Sequence, residues 1–499
     1  MSDNEAECER IHQAKREPSV FSFKPPRRRT ARTAAVGALA VAACTTVMTG
    51  SAGAIVNGAD HTIAPAYPGQ INKSTRTDSA PSTAAKGAKD QQAAALRALD
   101  RAAHHLRSTE PGGSTSDLRA LDAMIGDTKV VGLGEATHGS HEFFAMKQRV
   151  FGHLVEEKGF TTFALELSWT AGLRIDEYVQ GGPGDARQVA KETLAGSPWE
   201  REEFVSLISW MRQYNDRHPD RKLHLMGNDI GAPKLGDAIF DRVLSYVRAN
   251  RPQDVARLEE LYAGLRPLDD VFAYLRKPVA ERRLNATAAR QAFDLITANK
   301  GGGGDAYGWA EQNARNIAQT FAFTALDLSD PASVAAAEHL RDRAMADNTA
   351  WWHRRTGDKM LLSAHNGHVG YLSTDPVMYP TTQGVFLRKA LGRDYAAIGF
   401  TFDRGSFLTA TTLGSPWSKV TVPAATPDMQ EYTLDRVRYR DYYLDLRTLP
   451  AAGRTWLNTP RPTYDAGSSF KKDPLPTLAI TQAYDILIHL NQVHAATSL

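Results

Sequence analysis

Six side chains that can move protons stand immediately after, or at the close of, short apolar runs. They are Glu135 and His138 in Gly134-Glu135-Ala136-Thr137-His138-Gly139, Glu166 just before Ser168 and Trp169, Asp229 after Asn228, and His365 and His368 around Asn366. A neutral imidazole is the side chain best tuned to accept a proton near neutral pH, provided a carboxylate holds its tautomer and stabilises the imidazolium. Glu135, three residues before His138, is placed to do this. A second histidine, His365 or His368, would polarise a carbonyl or protonate a leaving alkoxide. Arg149, one helical face along from the first loop, would orient a carboxylate or support an oxyanion. Asp229, Asn366 and Trp169 are the candidates for substrate contact. The chemistry that fits this set is hydrolysis by an activated water.

Each residue also has a plainer reading. A Glu or His in such a loop is often a helix cap or a solvated group; Asp229 suits an N-cap and Asn366-Gly367 a turn. Independent caps have no reason to collect acids and imidazoles at one edge of one sheet, and the joint occurrence favours a site. No G-x-S-x-G elbow is present, and Ser140 at a helix start reads as a cap. The two cysteines, Cys8 and Cys44, both precede residue 55, so no thiol chemistry reaches the folded part. A metal is the main rival: Glu135, His138, Glu166, His365 and His368 are N and O ligand types, and His-x-x-His is a known ligand spacing, although HExxH is absent. The reading preferred here needs no metal and no cofactor. The alternatives are a metal-dependent hydrolase of another substrate class and a non-catalytic envelope protein that binds a ligand such as haem.

The elements that must position these residues follow from periodicity. Apolar runs at Lys129 to Leu133, Thr162 to Leu167, Leu223 to Met226, Met360 to Ser363 and Ala396 to Phe402 read as strands. Helical patterns lie between them, clearest over His141 to Lys158 with Gly159 as its stop. This alternation predicts an α/β fold with a mainly parallel central sheet flanked by helices. Ligands bind such sheets beyond the carboxyl ends of the strands, where all the candidates fall. Between about 231 and 352 the strand signal vanishes, which predicts an inserted helical subdomain covering a cleft there. Gly301 to Gly304 reads as a mobile loop within it.

Before the sheet, Asp90 to Arg107 carries an amphipathic helical pattern. Residues 55–88, rich in Ala, Ser, Thr, Gly and Pro, read as a flexible linker. Residues 1–54 read as an export signal: Arg27, Arg28, Arg29 and Arg32, then an apolar stretch from Ala34 to Met48, then Ala52-Gly53-Ala54 as a cleavage site. Val41-Ala42-Ala43-Cys44 resembles a lipobox, so lipid anchoring at Cys44 competes with cleavage. The expected location is secreted or cell-surface, with no transmembrane helix, because the apolar stretch falls short of the roughly 20 residues a bilayer needs. The net charge of +3 comes from this segment, since its removal leaves 51 basic and 51 acidic residues. A neutral mature chain does not suit nucleic acid, whose phosphates call for a basic stripe.

With these residues on the page, the sequence resembles the erythromycin esterase family. The resemblance rests on VVGLGEATHGSHEFFAMKQRVFGHLVEEKGFTTFALEL, PWEREEFVSLISWMRQYN, LMGNDI, RDRAMADNTAWW, LLSAHNGHVGY, AAIGFTFDRGSF and YYLDLR, in that order over about 90–495. It implies a carboxylic ester hydrolase that opens the lactone of macrolides such as erythromycin, an antibiotic-resistance activity, with the small ester and water as its partners. It further implies His138 as general base, Glu135 and Glu166 orienting it or the water, His365 and His368 completing the site, Arg149 at the basic position of the following helix, and catalysis without a metal.

Overall fold

The computed structural model describes residues 83–298, 304–411 and 415–499. The expected export signal and most of the expected linker lie outside them, as do residues 301–303 of the glycine run. In chain order the elements are α1 (Thr83–Ala102), β1 (His104–His105), α2 (Arg119–Ile125), β2 (Val130–Leu133), α3 (His141–Lys158), β3 (Phe160–Ser168), α4 (Trp169–Val179), α5 (Ala186–Leu194), α6 (Glu202–Arg217) and β4 (His224–Asp229). There follow α7 (Ala238–Asn250), α8 (Val255–Tyr262), α9 (Val271–Leu275), α10 (Val279–Ala298), α11 (Gly304–Thr324), α12 (Pro331–Thr356), β5 (Lys359–Ser363), α13 (Asn366–Val369) and α14 (Gln383–Leu391). The sheet is completed by β6 (Tyr395–Thr409), β7 (Ser418–Val422), β8 (Tyr442–Asp445) and β11 (Ile486–Val493), while β9 (Arg461–Pro462) and β10 (Thr477–Leu478) form a separate ribbon.

The nine-stranded sheet runs β1-β8-β11-β6-β2-β5-β3-β4, with β7 added to β6. The strands from β11 to β4 are parallel, and β1, β7 and β8 join antiparallel. Although the central strands read as unbroken apolar runs, successive side chains point to opposite faces, so each strand feeds two cores. Val131, Leu133, Leu361, Ile398 and Phe400 pack with the apolar sides of α3, α5 and α6. Val130, Met360, Leu362 and Ala397 pack with α7, α8, α10, α11 and α14.

All five strands read from the sequence are present: β3, β5 and β6 are longer than read, β2 and β4 each begin one residue later, β4 also runs on to Asp229, and α3 spans the predicted limits. Its stop is Gly159 at φ 75°, a left-handed conformation that favours glycine, with its N–H bonded to Leu154. No strand lies between β4 and β5 among the described residues; helices α7 to α12 fill the interval, and Gly304 opens α11. The first helix differs: it starts at Thr83, inside the stretch expected as linker, and ends at Ala102 rather than Arg107. The apolar pattern continues through Ala103 and Leu106 because both remain buried as the chain turns into β1, where edge pairing with β8 replaces the helix.

Register explains why the candidates meet. Leu133 of β2 lies opposite Ser363 of β5 and Ile398 of β6, and Leu165 of β3 lies opposite Ser363 and Gly227 of β4. Residues one or two positions further on therefore leave the sheet at one level.

Candidate functional site

Glu135 leaves β2 after Gly134, and its main-chain carbonyl accepts from Asn366 N–H at 2.9 Å. Its side chain is fully buried. One carboxylate oxygen lies 2.5 Å from His138 Nδ1, and the other accepts from Lys147 Nζ. Lys147 projects from α3 and is itself buried, with a second contact to the Ala364 carbonyl at 3.3 Å. Burial pushes the Glu135 carboxyl up, but the Lys147 ammonium and the His138 hydrogen bond outweigh it and hold the group below its ordinary range. A buried carboxylate of this kind keeps its charge only when paired.

A second set forms around Arg341 of α12. Its guanidinium donates to Glu166 Oε1 at 2.8 Å and to Asp229 Oδ2 through Nε at 2.9 Å and Nη2 at 2.5 Å. Glu338, one helical turn earlier, lies 3.7 Å away. Planar guanidinium donors suit such shared carboxylates. Burial pushes Glu166 up, and His368 together with Arg341 brings it well below its ordinary value. For Asp229, burial wins and the carboxyl is raised despite Arg341. His368 stands between Asp342, 2.8 Å from its Nδ1, and Glu166, 3.3 Å from its Nε2. Burial opposes its charge, yet these carboxylates raise it well above an ordinary imidazole.

His365 is the residue before α13. Its main-chain N–H donates to Glu166 Oε2 at 3.0 Å, and its ring lies 4.9 Å from that of His138, centroid to centroid. Nε2 sits 3.0 Å from Asp465 Oδ1. The ring of His138 also meets Trp199 edge-on at 5.6 Å.

His138, Glu166, Asp229, Glu338 and Arg341 all face one cavity. Its other walls are mostly apolar, with Leu167, Pro198, Trp199, Ile230, Val271 and Phe323 among them, beside the hydroxyls of Ser168, Ser197 and Ser468. Ile230 to Phe323 belong to the helical stretch between β4 and β5, which thus builds one side of the cleft. A few polar groups converging in a largely apolar hollow are the usual form of a small-molecule site.

The structure thus brings together Glu135, His138, Glu166, Asp229, His365 and His368. The side chains of three other sequence candidates are engaged away from the cavity. Arg149 donates to Asp117 Oδ1 at 2.6 Å and to the Ser114 carbonyl at 2.8 Å, tying α3 to the segment before α2. Trp169 is 1 % exposed, bonds Asn313 through its indole N–H and packs on Trp309, Trp351 and Trp352 in the core. Asn366 spends its side-chain amide on Phe400, donating to its carbonyl at 2.8 Å and accepting from its N–H at 3.1 Å. The cationic position near the first loop is held by Lys147, two residues from Arg149, and the tryptophan on the cavity wall is Trp199.

Lys147, Arg341, Asp342 and Asp465 were assigned no role from the sequence, although Arg341 and Asp342 open the segment RDRAMADNTAWW. Lys147, Arg341 and Asp342 are charged residues on the inward face of helices, a signal visible once the helical phase is set. Asp465 lies in an irregular segment and gives none. Among the described residues no three His, Cys, Asp or Glu side chains are grouped to hold a metal. No helix among them is long and apolar enough to cross a membrane.

Comparison with known proteins bears on this geometry. The erythromycin esterase family model matches residues 155–493. Erythromycin esterase type II of Escherichia coli is 25% identical over 329 residues, which cover 58% of this chain and 73% of that protein. A crystal structure described as a succinoglycan biosynthesis protein superposes with a TM-score of 0.72 at 28% identity, covering 82% of this chain and 99% of its own. A mutant of the erythromycin esterase EreC in its open conformation superposes with a TM-score of 0.60 at 18% identity, over 77% and 96% of the two chains, a likeness of fold.

Proposed function

The chain belongs to the erythromycin esterase family and is a hydrolase of that family, and from this we propose that it opens the ester bond of a macrolide or related bulky ester with a water activated by His138. The observation that carries the reading is the 2.5 Å contact of His138 Nδ1 with the buried Glu135, on a histidine that lines the cavity. With Nδ1–H donated to Glu135, Nε2 carries the lone pair. It takes a proton from water as the water oxygen bonds to the ester carbon. Arg341, the guanidinium facing the same cavity, supports the negative charge that develops on the carbonyl oxygen. When the intermediate collapses, the C–O bond breaks and the alkoxide takes the proton back from the His138 imidazolium, leaving a carboxylic acid and an alcohol. Lys147 keeps Glu135 ionised without approaching the reacting atoms.

The apolar walls favour a bulky, largely hydrocarbon ester over a sugar or a peptide. A mass-spectrometric screen of macrolides and other lactones for the gain of one water tests the reading, with His138→Ala as the control. No gain across the panel, or an equal gain with the variant, would sink it.

We propose also that residues 1–54 export the chain, on the strength of the arginine run, the apolar stretch and the Ala-Gly-Ala site. The amino-terminal sequence of the mature protein and lipid labelling at Cys44 distinguish cleavage from anchoring, and a retained, unmodified amino terminus refutes export.

A further inference from the structure

The short segment from Thr463 to Phe470, after β9, has no regular structure and touches both halves of the site. It pairs with the first strand-end loop: Ala466 N–H donates to the Ala136 carbonyl at 2.8 Å, and His138 N–H donates to the Ala466 carbonyl at 3.2 Å. One residue earlier, Asp465 is buried, and its Oδ2 accepts from Thr374 Oγ1 at 2.6 Å. Its other oxygen, Oδ1, is the one 3.0 Å from His365 Nε2. On the far side of the ring, His365 Nδ1 accepts the main-chain N–H of Gly367 at 3.2 Å. An imidazole nitrogen that accepts carries no proton, so the proton of the neutral ring belongs on Nε2, beside Asp465. His138 is the reverse, with the proton on Nδ1 beside Glu135.

We propose that Asp465 is a positioning residue that holds His365 in its Nε2–H tautomer, so that the buried ring packed against the base His138 keeps one fixed orientation. The 3.0 Å pair falls short of good hydrogen-bond alignment, so the carboxylate fixes the tautomer without saturating the N–H. Burial disfavours charge on His365, but Asp465 raises its proton affinity above the ordinary value. The other charged and titratable groups bearing on this ring are Glu135, His368 and His138, with Glu166 at its main-chain N–H. The consequence for rate rests on the hydrolytic reading; the tautomer does not.

The test is ¹⁵N NMR of histidine-labelled full chain, with the His365 signals assigned by their loss in His365→Gln. In the wild type the expected pattern is protonated Nε2 and bare Nδ1. Asp465→Asn is expected to lower the proton affinity of His365 about tenfold, one pH unit. In hydrolysis it lowers kcat by about tenfold, less than the hundredfold or more expected for loss of a general acid or base, with KM little changed. A folded Asp465→Asn with unchanged His365 tautomer and titration overturns the proposal. If the NMR changes appear and neither protein hydrolyses any ester, the positioning stands and the hydrolytic reading falls. Should Asp465→Asn not fold, Thr374→Val, which removes the hydroxyl steering Asp465, is expected to shift the His365 titration in the same direction, and no shift overturns the proposal equally.

Discussion

Lys147 and Glu135 form an ion pair in which both side chains are buried, one from the middle of α3 and the other from the loop that precedes the helix. The pair fixes the phase of α3 against the strand-end loop, and with it the Nδ1 contact of His138. Removing one member of such a pair leaves an uncompensated buried charge, at a cost of about 3–5 kcal/mol. Lys147→Met is therefore expected to lower stability by that amount in urea denaturation. The double variant with Glu135→Gln recovers much of the stability and none of the activity.

His138→Ala removes the proposed base from the cavity wall. Its expected effect is a loss of kcat of about 10²–10⁴-fold, the range of general base catalysis. The unfolding midpoint should change little, because the ring's hydrogen bond goes to a carboxylate that keeps Lys147. An unfolded variant would assign His138 to the framework instead.

Stability should fall on the acid side through Glu166. Its folded pKa lies well below 4.5, so its contribution is complete above pH 4.5 and is lost as pH falls through the folded value. His368 acts in the opposite sense: raised well above 6.5, it contributes fully below pH 6.5 and fades as pH rises through its folded value. Urea midpoints against pH are expected to show a dome, and Glu166→Gln should flatten its acid flank.

Glu431 is fully buried with one oxygen accepting from the Thr463 hydroxyl, and burial raises its pKa to about 8. The unfolded group ionises near 4.5, so the folded protein holds an extra proton between these values and loses stability as pH rises from 4.5 to 8. Glu431→Gln keeps an acceptor for Thr463 and cannot ionise. It is expected to match the wild type at pH 4 and exceed it progressively up to pH 8 in thermal denaturation.

Gly134 has no room for a side chain, since a Cβ there would collide with the Asn366 carboxamide oxygen. That carboxamide cannot yield, being bonded twice to Phe400. Gly134→Ala should cost about 1–3 kcal/mol by overpacking and displace Glu135 enough to abolish hydrolysis. Adding Asn366→Ala relieves the collision and restores part of the stability, which a denaturation series reads directly.

The sheet and the strand-end acids and histidines were legible because parallel strands announce themselves as apolar runs and place functional groups at one known end. Four features escaped. β8 and β11 complete the sheet, yet β8 is a four-residue run and β11 carries His489 and Asn491 within it, so their periodicity is weak. The choice between Lys147 and Arg149 depends on helical phase: two residues apart on α3 is a turn of about 200°, which sends one toward Glu135 and the other toward Asp117. Trp169 stands next to Glu166 in sequence, but it opens α4 and its indole packs into the core below the sheet end, whereas Trp199 reaches the cavity from an irregular loop. Asp465 depends wholly on tertiary pairing, which no local pattern reports.

The carboxyl-terminal residues close the loop that bears His138: Ser140 pairs with Ala495, Ala496 N–H bonds the Gly139 carbonyl, and His494 N–H bonds Glu142, 352 positions away in sequence. On the ribosome these partners appear far apart in time, roughly 20–70 s at about 5–20 residues per second. The nascent chain thus carries its base and both glutamates long before the segment that frames them exists, and hydrolytic competence arrives in one late step. A cell making this enzyme is spared a half-built hydrolase during synthesis, and must shield a large unfinished sheet until the last strand emerges.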